Sequence, residues 1–161
     1  MAQLTSQDHE VSRNPEWPKY QKAYLDKNGK CVVCGATTDL QVHHMYPVSY
    51  IYAVKREDLE LNFSNYMTLC ETEHGHPGEN HHLLIGHLDS FKSRNVNVKP
   101  DAARFKGIAH TAAAIRADSK WLAEMHARPK PAAEMTQAEK DELTTELNRV
   151  FGAKPQISPL P

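Results

Sequence analysis

Ten histidines occur in the chain, and seven of them fall between residues 43 and 87. Only three cysteines accompany them: Cys31 and Cys34 form a C-x-x-C pair, and Cys70 stands alone near the histidine-rich stretch. Two thiolates presented from a tight turn make half of a tetrahedral zinc site. Closing it takes two more soft or borderline donors. Cys70 is the only thiol left, so the fourth donor must be a histidine, and His74, His76 and His81 are all within reach by sequence. The alternative is three reduced, buried cysteines with no metal. A redox C-x-x-C is disfavoured because no βαβ pattern surrounds it. An odd cysteine count in a chain whose N-terminus is polar and acidic, unlike a signal or transit peptide, speaks against a disulfide framework.

His43 and His44 are the second constellation. On a strand their side chains point to opposite faces, but a twisted strand end beside a loop can bring both to one pocket. One imidazole could then hold a metal while its neighbour meets a nucleophilic water. A histidine pair alone is more often an ordinary surface or half-buried pair. The context raises its interest: Pro47, then Asn65, then Cys70 and a second pair, His81-His82, follow in order.

The elements that must position these groups are short. Residues 17–28 carry Trp17, Tyr20, Ala23 and Tyr24 on one helical face, with Pro18 in the first turn and Asn28-Gly29 as a stop. Leu40–Met45 alternates like a strand and ends before Pro47, and Tyr66–Cys70 is a second short strand. Residues 71–80 read as a loop. His81–Phe91 reads as a helix with Leu83, Leu84 and Leu88 on one side, although Gly86 costs about 1 kcal/mol there. Residues 101–127 predict one or two Ala-rich helices. Thr136 with Glu139 makes a capping box for a helix over 137–150, with Leu143, Leu147 and Val150 or Phe151 as its apolar seam.

With 161 residues, 40% hydrophobic, the chain suits one domain of ordinary size with tails. No run approaches the roughly 18 apolar residues of a membrane helix. The net charge of −1 argues against a uniformly basic binder, yet it hides segregation. Residues 48–80 hold two basic and six acidic side chains, and residues 90–131 hold nine basic and three acidic. A solvated helical surface explains such a flank, and so does a phosphate-binding face. The expected organisation is a flexible arm over 1–16, a core over 17–95, a helical extension over 96–151 and a disordered tail over 152–161.

Taken together, C-x-x-C at 31–34, His43-His44-x-x-Pro47, Ser64-Asn65 with Leu69-Cys70, and His81-His82 with Gly86-His87 resemble the HNH endonucleases. The resemblance covers roughly residues 17–95. It implies an α+β fold: a small ββα-metal core with a structural zinc knuckle, flanked by N-terminal and C-terminal helices. By that likeness His44 is the general base, Asn65 braces the loop between the strands, and His43 and His82 ligate a catalytic divalent ion. The zinc ligands would be Cys31, Cys34, Cys70 and His81. Most members have Cys at the fourth zinc position, often two residues after the third, whereas His81 follows Cys70 after ten intervening residues. His87, five positions after His82, would be rotated away on an α-helix and is expected to face phosphate or serve structure.

The implied activity is metal-dependent nicking of DNA, with duplex substrate and weak sequence specificity, by His44-activated water. Two imidazoles suit Mn²⁺, Co²⁺, Ni²⁺ or Zn²⁺ better than Mg²⁺. Lys92, Arg94, Lys99, Arg104 and Lys106 are the expected phosphate contacts. A homodimer or a partner protein could form through the C-terminal helices; one such site cuts one strand, so double-strand cleavage would need a dimer or two events. The expected location is the cytoplasm of a bacterium or of a phage-infected cell. A non-catalytic, zinc-stabilised nucleic-acid-binding or scaffolding module is the alternative.

Overall fold

The computed structural model describes residues 13–71, 80–91 and 93–161. Its centre is a two-stranded antiparallel hairpin, β1 (Leu40–His44) and β2 (Tyr66–Cys70), in the register Leu40 opposite Cys70 and His44 opposite Tyr66. Alternation sorts the side chains onto two faces. Val42 and Tyr66 pack under helix α1 (Trp17–Lys27) with Tyr20 and Leu61, and Trp17 and Tyr24 close over them. Met67 and Leu69 face the other way, onto Leu84 and Ile85.

The second face carries the larger core. Helices α3 (Val98–Lys106), α4 (Ala112–Ala117) and α5 (Ser119–His126) contribute Phe105, Ile115 and Trp121 to the same cluster as Leu69 and Leu84. Position 95 is therefore not a packing boundary: the helices beyond it complete the core of the hairpin. Three helices stand where the Ala-rich stretch predicts one or two. Side-chain oxygens of Thr111 and Asp118 cap α4 and α5, which splits the run.

Between the strands the chain makes α2 (Val48–Ala53) and two 3₁₀ turns, Glu57–Leu61 and Phe63–Asn65. Helix α6 (Gln137–Phe151) starts at Thr136 with the expected capping box and lays Leu147 against Ile51 and Leu59. Leu143 and Phe151 flank that contact, while Val150 is exposed.

Two sequence expectations change. The helix expected over 81–91 is a π-helical turn, His82–Gly86, that stops at Leu88 and Asp89, both with positive φ. Its last carbonyls are all taken. Trp121 Nε1 donates to Leu84 O at 2.8 Å, Asn95 Nδ2 to Ile85 O at 2.9 Å, and Asn95 N to Gly86 O at 3.1 Å. A wide, otherwise costly turn is thus fixed from outside by two buried side chains.

The 152–161 tail is not a loose end either. Gln156 N donates to Asp58 Oδ2 (2.8 Å), Asn62 Nδ2 to Gln156 O (2.6 Å), Ser158 N to Leu61 O (3.0 Å) and Tyr20 OH to Ser158 O (2.7 Å). Proline content alone reads as disorder, whereas here the backbone finds partners on the 58–63 loop. Of the expected arm, residues 1–12 lie outside the described residues. Arg13 is held, its Nε 2.8 Å from the buried Glu60 carboxylate and its guanidinium stacked on Trp17.

Candidate functional site

The C-x-x-C segment is a closed turn. Cys31 N donates to Ala36 O and Gly35 N to Cys31 O, each at 2.9 Å, and Gly35 takes the positive φ (76°) that closes it. Val32 N reaches Thr68 O and so ties the turn to β2. Cys70 ends β2, and His81 opens the π turn. Their donor atoms converge: Cys34 Sγ to Cys70 Sγ is 3.9 Å, Cys70 Sγ to His81 Nδ1 is 3.3 Å, and Cys31 Sγ to His81 Nδ1 is 3.6 Å. Zinc bonds of about 2.3 Å to sulfur and 2.0 Å to nitrogen, in a tetrahedron, require ligand-to-ligand edges of about 3.5–3.8 Å. The match is close.

His81 Nε2 donates to His110 O at 2.7 Å, which puts the proton on Nε2 and turns the Nδ1 lone pair to the sulfurs. Among the described residues, His81 is the fourth donor; His74 and His76 lie outside them. The thiols also show the strain of sharing one small space. Hydrogen bonding from Cys70, reinforced by backbone amides, pushes the Cys31 thiol down to about 3. Burial pushes Cys34 up, and the hydrogen bond with Cys31 together with burial pushes Cys70 up. This Cys₃His cluster can bind a metal such as zinc.

The residues one step further along the chain build a second centre. Cys70 is followed by Glu71 and His81 by His82, so the cluster that holds the thiols also sets Glu71 beside His82, Oε1 to Nδ1 at 3.4 Å. His82, His87 and His43 form a buried three-imidazole group whose ligand atoms lie within 4.8 Å of one another. Expecting His87 to point away from His82 assumes an α-helix. The π turn brings residues five apart to the same side, and His87 Nε2 lies 3.2 Å from His82 Nε2.

The tautomers follow from the outer partners. His87 Nδ1 donates to Ser93 O at 2.9 Å, so its lone pair is on Nε2. His82 Nδ1 faces a carboxylate, which favours the proton there, although 3.4 Å is too long for a full hydrogen bond. Two lone pairs then meet at 3.2 Å. That is stable only with a cation, a metal ion or a proton, between them, and 3.2 Å is close to the edge of about 3.3 Å for two nitrogens on one tetrahedral ion. Burial, then the neighbouring imidazoles, push the His43 and His87 pKa values well below the usual 6.5, which keeps both rings neutral and ready to ligate. Gly86 is what lets the rings in: a Cβ there would lie 3.1 Å from His43 Cε1 and Nδ1 and 3.3 Å from His82 Cδ2.

His44 takes the opposite face of β1. It packs on Trp17 and Tyr66, with ring centroids 4.6 and 5.1 Å away, and its Nε2 donates to Glu60 O at 3.0 Å. A carbonyl only accepts, so the hydrogen is on Nε2 and the lone pair on Nδ1. Asn65 is fully buried and braces the 46–59 connection: Nδ2 donates to Tyr46 O and Leu59 O, and Oδ1 accepts from Tyr46 N at 2.8 Å. Three successive carbonyls of one 3₁₀ turn are thereby claimed: Leu59 O by Asn65, Glu60 O by His44, and Leu61 O by Ser158.

The basic residues divide. Lys99 and Lys106 are exposed, and Lys92 lies outside the described residues. Arg104 is committed to Asp118 at 2.8 and 3.0 Å. Arg94 does not face solvent at all. It is 1% exposed, donates to Lys130 O and Ser49 Oγ, and stacks on Tyr50. A charge run shows sign but not direction, and this arginine points inward to join the 128–131 segment to α2. Glu60, Glu71 and Ser93 carry roles that no motif signalled.

No family model matches the chain, and no curated protein or solved structure matches it either. What stands is an α+β chain with a two-stranded antiparallel sheet and a Cys₃His candidate metal site. Among the described residues no helix is long and apolar enough to cross a membrane.

Proposed function

We propose that the chain is a metal-dependent endonuclease of HNH type that hydrolyses phosphodiester bonds in DNA. One observation carries the reading. Adjacent residues of β1 serve two different sites: His43 completes a buried three-imidazole cluster, and His44 is held in the tautomer whose Nδ1 can accept a proton. A structural metal site would have no use for the second.

The chemistry divides accordingly. His44 Nδ1 takes the proton of the attacking water, the role of a neutral imidazole acting as general base. The Glu60 carbonyl holds the Nε2 hydrogen, so the ring keeps its orientation as it becomes an imidazolium. Asn65 fixes the loop that supplies that carbonyl. A divalent ion on His43, His82 and His87, when bound, stabilises negative charge on the phosphoryl oxygens and on the leaving 3′ oxygen. Three neutral imidazoles favour Mn²⁺, Co²⁺, Ni²⁺ or Zn²⁺ over Mg²⁺. Zinc in the Cys₃His cluster is structural, its four ligands leaving no open position. Lys99 and Lys106 contact phosphates and add affinity without sequence choice.

Supercoiled plasmid incubated with the zinc-loaded protein and Mn²⁺, Co²⁺ or Ni²⁺ tests this. Conversion to the open circle, abolished by His44→Ala, is expected. No nicking with any of these ions, or equal nicking by His44→Ala, would leave a zinc-stabilised binding module instead.

A further inference from the structure

We infer that a cavity beside His44 receives one unstacked base of the DNA, so that the preferred substrate carries an unpaired nucleotide at the cleavage site; this rests on the nuclease reading above. The cavity, about 360 Å³, lies between the end of β1, the start of α3 and the last turns of α6. That volume is within the range of pockets that enclose small ligands. Its walls are chain neighbours of residues already placed at the site. Met45 and Tyr46 follow His44, Ser64 precedes Asn65, and Val96 follows Asn95, whose N–H holds Gly86 O of the π turn. Consecutive Cα atoms are only about 3.8 Å apart, so the cavity starts one residue away from His44, Asn65 and Asn95 alike.

The chemistry of the walls matches a nucleotide. Tyr46 and Phe151 supply aromatic surface, their rings edge to face at 5.7 Å, and a base of any identity can stack on such a ring. Val96 and Val150 are 61% and 46% exposed, an apolar rim that an entering base would cover. Glu146 stands at the wall as an acceptor for an exocyclic amino group, its pair with Arg149 stretched to 3.9 Å. Burial, then the Glu146 charge and a hydrogen bond to it, raise the Tyr46 phenol to about 12, so the hydroxyl keeps its proton and donates to that carboxylate. Exposed Lys99 is the cation for the flanking phosphate. An apolar side chain from a partner protein would use neither the amino-group acceptor nor the cation. Phosphate contacts also leave affinity to be found elsewhere: Arg94 and Arg104, two of those expected, are committed within the protein. Extrusion costs least where a base is already unpaired, which sets the substrate preference.

Titrating the full-length, zinc-loaded chain into two DNA probes, with no second metal added, provides the test. One duplex carries a single bulged 2-aminopurine; the other has that base paired with thymine. The bulged probe should bind about tenfold more tightly, and its fluorescence should change on binding while that of the paired probe does not. Tyr46→Leu keeps apolar volume but removes the ring and the hydroxyl; the affinity ratio should then fall to about twofold or less. If Tyr46→Leu does not fold, Val150→Met, at an exposed position, narrows the same cavity and should lower the ratio in the same way. Equal affinity for the two probes in the wild type overturns the inference, and so does the wild-type ratio with its fluorescence change in a folded variant. Base capture by a chain that nicks nothing refutes the nuclease reading alone. Nicking of plasmid by a chain that binds both probes equally refutes this inference alone.

Discussion

Replacing Gly86 by alanine sets two effects of opposite sign on one atom. The new Cβ would stand 3.1 Å from His43 Cε1 and Nδ1 and 3.3 Å from His82 Cδ2, against an ordinary contact of about 3.5–4.0 Å. The rings must retreat by a few tenths of an ångström. Crowding of this kind costs about 1–3 kcal/mol, while alanine for glycine inside a helical turn returns about 1 kcal/mol. The net cost is about 0–2 kcal/mol, so Tm should fall by no more than about 8 °C. The imidazole cluster absorbs the whole displacement, and since misplacing an orienting partner weakens metal binding by about 10–100-fold, a loss of that order is expected. Titrating the zinc-loaded variant with Co²⁺, by absorption and calorimetry, reads the second site alone. An affinity equal to wild type would refute the idea that His43, His82 and His87 act as one site. A drop in zinc content would show that the change is not local.

Other outcomes follow from the same geometry. Cys34→Ser should lower zinc content from one ion per chain to well below one and lower Tm sharply, as measured by elemental analysis and calorimetry, because binding at a structural zinc site is folding free energy. Acid should act through His43 and His87: their folded pKa values lie below the unfolded 6.5, so between the two the unfolded chain binds more protons. Their contribution is complete above about pH 6.5 and lost as pH falls below it; Tm should decline over that range, less steeply in His87→Gln. Arg94→Ala should cost about 2–3 kcal/mol by denaturant unfolding through lost charged hydrogen bonds, and should leave the salt dependence of DNA binding unchanged. Lys99→Ala and Lys106→Ala should do the reverse, each reducing the salt slope by about one.

The residues that bring a specific chemistry with them were the legible ones. Cysteines spaced for a turn, and a histidine pair at a strand end before proline, limit what a short hairpin can do. Spacing alone weighs His81 against His74 and His76 without deciding, and only the resemblance names His81; the His110 carbonyl that orients its ring lies 29 residues away. His87 was misplaced because helical spacing assumes the α period, and nothing local announces a π turn whose carbonyls are held by Trp121 and Asn95. Arg94 and the 152–161 tail escape the sequence for a common reason: composition reports what a segment is made of, while their places depend on backbone acceptors elsewhere, Lys130 O for the one and Leu61 O for the other.

Glu71 and His82 are the immediate chain neighbours of Cys70 and His81, and this adjacency has a practical edge for enzymology. Chelators are the customary proof that a nuclease needs its divalent ion. In this protein a chelator strong enough to strip the thiolate cluster would also release the two backbone points that set His82 against Glu71. Inhibition by EDTA would then look the same whether the lost ion took part in hydrolysis or only kept the neighbouring residues in register. Only weak chelation that spares zinc, or add-back of one ion at a time, separates the two.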